Sequence, residues 1–69
     1  MPPKQIRSEM VLRGVTNAQI AKETGFDRTL VSKVIYGERA NSVVQKKIAV
    51  RIGRRLREVF PTPQLRMAA

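Results

Sequence analysis

Four polar side chains share one side of a predicted helix: Arg28, Thr29, Ser32 and Lys33. The apolar residues on its opposite side, which would hold the helix against a core, are Val31, Val34 and Ile35. Arginine can donate two parallel hydrogen bonds to guanine O6 and N7, lysine donates with less direction, and hydroxyls both donate and accept. The four polar side chains therefore form a candidate surface for reading base edges in the major groove of DNA.

A second group of polar residues lies near the predicted starts of three helices, at the capping residues Thr16, Asp27 and Ser42. Free N–H groups and the positive end of the helix dipole suit such positions to phosphate oxygens. The candidate phosphate-binding residues are Asn17, Gln19, Tyr36, Arg39, Asn41, Ser42 and Lys46.

Each assignment has a plainer alternative that the sequence leaves open. Arg28 can instead form a surface ion pair with Glu23 or Asp27, and Lys33 can contact a phosphate without reading a base. We interpret Asp27 as a helix cap rather than as a reader of cytosine. The phosphate candidates can also be ordinary polar surface residues.

The composition favours a polyanionic partner. The 69 residues include 14 Lys and Arg against five Asp and Glu, for a net charge of +9 and a pI near 11.5. A domain pI above about 9 is typical of nucleic-acid binding. Residues 1–41 hold seven basic and four acidic residues, and residues 42–69 hold seven basic and one acidic. Residues 42–69 are thus expected to make the stronger electrostatic contact with a polyanion. The three aromatic residues are too few for a platform on which the bases of a single strand could stack.

The residue types that most catalytic and metal sites need are missing. The sequence has no cysteine and no histidine, and its acidic residues are scattered. We therefore expect no enzyme activity, metal, cofactor or small-molecule substrate. No apolar run approaches the roughly 18 residues of a membrane span, and the N-terminus lacks the apolar core of a secretory signal. We expect a cytoplasmic, nucleoid-associated protein without membrane contact.

Helical periodicity predicts one all-α domain over residues 1–69, a small bundle of four to five helices. Residues 1–3 are predicted to be a loose arm, because two prolines delay the first helix. That helix is expected over residues 4–13, with Ile6, Met10 and either Leu12 or the Arg13 stem on its inner side.

The centre of the domain is predicted to be a glycine-hinged pair of helices at residues 17–36. Thr16 and Gln19 have the spacing of a capping box, which begins the first helix of the pair. Gly25 is expected in the left-handed conformation that allows a sharp turn, and Phe26 is expected to fill the angle between the helices. The second helix is expected over residues 28–36. This pattern is typical of a helix-turn-helix, in which the second helix is exposed for reading DNA.

The last part of the chain leaves one alternative open. Ser42 and Gln45 have the spacing of a second capping box, which would begin a fourth helix. Gly53 either interrupts this helix or lies within one long helix, because the apolar spacing continues through residues 56–60. Pro61 stops whatever precedes it, and residues 62–69 are expected to be a flexible tail.

These residues give the chain a resemblance to the phage-repressor and Cro type (XRE-like) of helix-turn-helix regulators. The matching residues are Thr16, Ile20-Ala21, Gly25-Phe26, Val31-Ser32, Val34-Ile35 and Gly37-Glu38-Arg39, and Ile48-Ala49, Gly53, Leu56 and Val59-Phe60-Pro61 resemble the closing helices of the family. The resemblance covers about residues 6–61. It implies a lambda-repressor-like five-helix bundle, binding of double-stranded DNA, often as a dimer on an inverted repeat, and transcriptional control.

The chain departs from the family pattern at two places. Many members carry glutamine at the position of Asn17, and asparagine reaches less far toward a phosphate. Members tend to have a small residue or proline after the glycine of the closing helices, whereas Arg54 and Arg55 follow Gly53. The two arginines favour either continuation of the helix or an extra basic contact.

We therefore expect a small phage or bacterial repressor that binds an inverted repeat through residues 28–36. One copy would read only ~4–5 base pairs by the reach of three or four side chains, so a homodimer is expected. Its interface is expected on the last helix and tail, among the apolar residues Val43, Val50, Phe60, Leu65 and Met67. The alternatives are an architectural or recombination accessory protein and an antitoxin-type interaction module.

Overall fold

The structure is a computed structural model that describes residues 1–61. Five helices follow one another along these residues. They are α1 (Pro3–Leu12), α2 (Asn17–Thr24), α3 (Arg28–Ile35), α4 (Ser42–Arg51) and α5 (Leu56–Val59). The expected small all-α bundle is confirmed for these residues, which include no strand. None of these five helices is long and apolar enough to cross a membrane. The predicted tail at residues 62–69 lies outside the described range.

One apolar core joins all five helices. Its buried members are Ile6, Met10, Val15, Ile20, Ala21, Val31, Val34, Ile35, Val44, Ile48, Ala49, Ile52 and Val59. α2 packs against α3 and α4, while α1 packs on α3 and α5 packs on α4. Full burial of a valine or isoleucine side chain stabilises a fold by about 1.5–3 kcal/mol, so this cluster is the main source of stability.

Side-chain caps begin the helices that carry the candidate site. Thr16 and Gln19 form the predicted capping box, with the Gln19 N–H donating to Thr16 Oγ1 and the Thr16 N–H donating to Gln19 Oε1. Asp27 Oδ1 accepts from the Leu30 N–H at 2.8 Å, which confirms Asp27 as the cap of α3. These bonds satisfy backbone donors that a helix start leaves without partners.

Gly25 closes α2 in the left-handed conformation that the sequence predicts, with φ of 84°. The N–H groups of Gly25 and Phe26 both donate to the Ala21 carbonyl oxygen, at 2.8 and 3.1 Å. Phe26 itself stays 40% exposed, so the prediction that it fills the angle between the helices is wrong. The fully buried apolar residues of the two helices are instead Ile20 on α2 and Val31 on α3.

The N-terminal helix differs from its prediction at both ends. Pro3 is the first residue of α1, where its missing N–H costs nothing, and Met1 packs against the core, so residues 1–3 are not a loose arm. Leu12 is 79% exposed and does not belong to the inner side. It lies about 200° around the helix from the buried Met10.

The C-terminal helices resolve the alternative at Gly53. α4 ends at Arg51 and Gly53 has a φ of 69°, so the helix is interrupted there and α5 is a separate helix. The predicted capping box at Ser42 is wrong, because Asn41 Oδ1 caps α4 by accepting from the Val44 N–H at 3.1 Å. Leu56, expected to continue the inner stripe, is 37% exposed.

Three glutamates tie elements together by ion pairs. Glu9 on α1 accepts from Arg54, which also donates to Glu58, so α1 is bridged to the segment before α5. These two carboxylates raise the pKa of the Arg54 guanidinium above its usual value, first through the hydrogen bond to Glu9. Glu23 on α2 pairs with Arg51 and Lys47 on α4. The hydrogen bond from Arg51, aided by the charges of Arg51 and Lys47, lowers the pKa of the Glu23 carboxyl.

Substitution G25V is expected to destabilise the protein through backbone strain alone. No atom lies within 4 Å of a Cβ added at Gly25, but a β-branched residue resists positive φ. The cost is about 2 kcal/mol, or a fall in Tm of roughly 10 °C for a domain of this size. Thermal unfolding followed by circular dichroism measures it. G25N is the control, since asparagine tolerates this conformation, and equal losses in both variants would contradict the strain account.

The free energy of unfolding should decrease as the pH is lowered, and Glu23 should account for part of this decrease. Because the folded-state pKa of this carboxyl lies below its ordinary value of 4.5, its contribution is present above that pH and disappears as the pH falls through the folded value. E23Q should therefore be less stable than the unaltered protein at neutral pH, and the two should converge in acid. Urea unfolding at a series of pH values tests this. E38Q is the matched control, because Glu38 forms no salt bridge within residues 1–61.

Candidate nucleic-acid interface

α3 divides sharply into a buried face and an exposed face. Val31, Val34 and Ile35 are at most 3% exposed and turn toward the core. The base-reading candidates lie on the other side: Arg28, Thr29 and Lys33 are exposed, and Ser32 is half-buried. A helix held in this way presents a continuous row of donors and acceptors to solvent.

The start of α2 supplies two of the phosphate candidates. Asn17 is the first residue of α2 and is half-buried, and Gln19 is exposed. The side-chain oxygen Oε1 of Gln19 already accepts from the Thr16 N–H in the capping box. The side-chain NH₂ of Gln19 is therefore the group that can donate to a phosphate. Gln19 is thus a fixed donor rather than a mobile surface side chain.

Arg7 joins this surface, although it is not among the residues that the sequence predicts there. Its guanidinium donates to the Tyr36 hydroxyl at 2.7 Å, which connects α1 to the end of α3. Arg7 also lines a cleft of about 230 Å³ together with Thr16 and Asn17 at the start of α2. The hydroxyl of Tyr36, a phosphate candidate, keeps its proton free to donate while it accepts from Arg7. A separation of 29 residues between donor and acceptor gives no local signal by which the sequence could have revealed this contact.

The loop between α3 and α4 and the first turns of α4 carry four further candidates. The backbone N–H of Arg39 donates to the Lys33 carbonyl oxygen at 3.3 Å, so the loop folds back over the end of α3. Asn41 is the cap of α4 and is half-buried, and its side-chain oxygen is therefore occupied. Ser42 is exposed as the first residue of α4. Lys46, one turn further along the same side of α4, is exposed as well.

Ion pairs among the described residues do not neutralise the positive charge of this surface. Glu23 pairs with Arg51 and Lys47, and Asp27 caps α3, so neither carboxylate pairs with Arg28 as the alternative interpretation required. Within residues 1–61, the cations without a salt bridge are Lys4, Arg7, Lys22, Arg28, Lys33, Arg39, Lys46, Arg55 and Arg57. The base-reading and phosphate candidates that carry charge all belong to this group.

The chemistry available at this surface is hydrogen bonding and charge neutralisation. In the part of the chain that the structure describes, no three His, Cys, Asp or Glu side chains come together as a metal site would require. A row of exposed cations and neutral donors along one helix face suits an extended anionic ligand.

A scan against protein-family models finds no match to this chain, and searches of curated proteins and of solved structures find none either.

Proposed function

We propose that this protein is a sequence-specific regulator of transcription that binds double-stranded DNA, with α2 and α3 acting as a helix-turn-helix. The observation that carries the proposal is the division of α3, whose apolar side is fully buried while its exposed polar side forms no ion pair within residues 1–61. A helix with an unpaired polar row, on a chain with a charge of +9, has the properties that major-groove binding needs.

In this proposal the first turns of α3 read base edges. Arg28, the first residue of α3, donates two hydrogen bonds to a guanine, and Thr29 contacts a neighbouring base or a thymine methyl group. Ser32 and Lys33 extend the contact by one turn. Lys33 also lies beside the loop that bears Arg39, so it is suited to the edge of the groove and the adjacent phosphate.

Phosphate contacts from two groups of residues would fix the orientation of α3 in the groove. The first group is the start of α2 with the Arg7–Tyr36 pair, and the second is Arg39 with the start of α4. Each start offers backbone N–H groups and the positive end of a helix dipole. These contacts position the protein without reading sequence, whereas the α3 contacts specify the site.

A second copy would complete a binding site of useful length. α4 presents Val43 and Val50 at 53% and 67% exposure on one side, and Leu56 lies beside them. We propose this patch as the contact between two copies on an inverted repeat. Phe60, an earlier candidate, packs against the core instead, and Leu65 and Met67 lie outside the described residues. Because Lys46 flanks the patch and forms no salt bridge within residues 1–61, repulsion between the copies weakens the dimer in free solution and bound phosphates relieve it.

Selection of bound sites from a pool of random duplex DNA tests the proposed function. A palindrome with fixed half-site spacing supports a dimeric regulator that acts by occupying an operator. Duplex binding without sequence preference would point to the architectural or recombination accessory protein. Absence of duplex binding would remove the proposal and leave the antitoxin-type interaction module as the alternative.

Substitution R28A should cost about 1–3 kcal/mol on the selected site and leave binding to random duplex nearly unchanged, because a base contact is lost. Fluorescence anisotropy at fixed salt measures both affinities. R57A removes the same charge from an exposed arginine on α5 and is the control. Equal losses on the two DNAs, or an equal loss in R57A, would exclude Arg28 from the base-reading residues.

Substitution K46A should weaken binding to every sequence alike and reduce the slope of log K against log salt by about 0.9, the value for one phosphate contact on duplex DNA. The neighbouring K47A is the matched control, because the Lys47 ammonium lies 3.8 Å from Glu23 and is already partly neutralised. A salt titration of both variants decides the assignment. A larger change in K47A than in K46A would show that the phosphate contact is misassigned.

A further inference from the structure

An apolar groove on α1 shares Arg7 and Tyr36 with the proposed DNA-binding surface, but its other lining residues have no part in that function. It has a volume of about 740 Å³, and its lining includes Pro2, Pro3, Val11, Leu12 and Tyr36. Val11 and Leu12 are 75% and 79% exposed, more than any other large apolar residue in the part of the chain that the structure describes. Adjacent exposed apolar side chains of this kind are typical of surfaces that a partner covers.

The charged groups at this groove all have the same sign. Its charged lining residues are Lys4 and Arg7, and neither forms a salt bridge within residues 1–61. The first turn of α1, at the same end of the groove, contains no acidic residue, and Pro2 provides no side-chain cap. The positive end of the α1 dipole is therefore also uncompensated there. The groove thus has a cationic end at Lys4 and an apolar end at Leu12, separated by about 12 Å along the helix axis.

The separation of a cationic end from an apolar end distinguishes between the possible occupants of the groove. A second copy joined groove to groove would bring two sets of Lys4 and Arg7 together with no carboxylate in the lining to offset them, which is unfavourable. Residues 62–69 contain no acidic residue that could meet Lys4 and Arg7. A phosphate backbone could meet these two cations but has no large apolar group to cover Val11 and Leu12. A segment with both carboxylates and large apolar side chains fits both ends.

We propose that the α1 groove binds an acidic amphipathic segment of a second protein. Large apolar side chains of that segment cover Val11 and Leu12, and its carboxylates contact Lys4, Arg7 and the start of α1. Docking of this kind buries apolar surface for affinity and uses the charged end to fix the direction of the bound segment. Arg7 lies in both the groove and the cleft at Asn17, so the partner adjoins the proposed DNA-binding surface without requiring it.

The probe is a synthetic helical peptide with leucines on one turn and glutamates two turns away on the same face. The DNA-free protein is titrated with it, and binding is followed by the backbone amide chemical shifts of the protein. Saturable shifts centred on Lys4, Val11, Leu12 and Tyr36 are expected. The controls are a scrambled peptide of the same composition and a peptide with glutamine in place of glutamate, both of which should bind at least several-fold more weakly.

Protein variants separate the groove from general attraction to a basic protein. V11A/L12A should weaken peptide binding roughly tenfold, since the apolar contact is lost while alanine preserves the helix. V50A removes an exposed valine from α4 and should leave the affinity unchanged. Circular dichroism of each variant confirms that the fold is retained.

Four results would overturn the proposal. The first is the absence of saturable binding to the folded protein. The second is a set of shifts centred on Arg28 and Lys33 that V11A/L12A does not alter, which would mean attraction to any polyanion. The third is concentration-dependent self-association through Val11 and Leu12. The fourth is binding to anionic phosphatidylserine vesicles that V11A/L12A abolishes while peptide binding persists. Because no DNA is present, none of these results tests DNA binding itself, and only the third bears on the proposed dimer contact.

Discussion

The burial of Val31, Val34 and Ile35 is the constraint on which the rest of the structure depends. Their near-complete exclusion from solvent fixes the rotation of α3 about its own axis, and this rotation alone decides which residues face outward. α1, α2 and α4 pack against α3, and the Gly25 turn sets the direction in which α3 leaves α2. If the helix were rotated by a third of a turn, Arg28 and Lys33 would no longer share one accessible side.

The acidic residues are placed so that this accessible side keeps its charge. Glu9, Glu23 and Glu58 form ion pairs that join α1, α2, α4 and the segment before α5, and Asp27 bonds to backbone. Exposed pairs of this kind contribute little stability individually. Their larger consequence is electrostatic, since they neutralise Lys47, Arg51 and Arg54 and leave the cations near α3 available to an anionic ligand.

Two exposed surfaces with different chemistry result from this arrangement. The α3 surface has hydrogen-bond donors and cations and matches a regular polyanion, whereas the α1 groove combines a large apolar area with a cationic end. Arg7 lies where the two surfaces meet and bonds to Tyr36, the last residue before the α3–α4 loop turns at Gly37. A protein partner in the groove and DNA along α3 would therefore be neighbours on a very small domain.

The sequence by itself determined the helical class, most of the core, the left-handed turn at Gly25 and the caps at Thr16 and Asp27, because periodicity and capping act over three or four residues. Only the tertiary structure decided the rest. Phe26 and Leu12 are apolar yet exposed, since the core around them is filled by other residues, and Gly53 broke a helix whose apolar spacing continued past it. The partners of Glu23 and Arg7 are 28 and 29 residues away along the chain, and contacts at that distance depend on how helices pack. Arg28 forms no ion pair with its neighbouring acids, because Glu23 pairs with Lys47 and Arg51 of α4 and Asp27 caps α3.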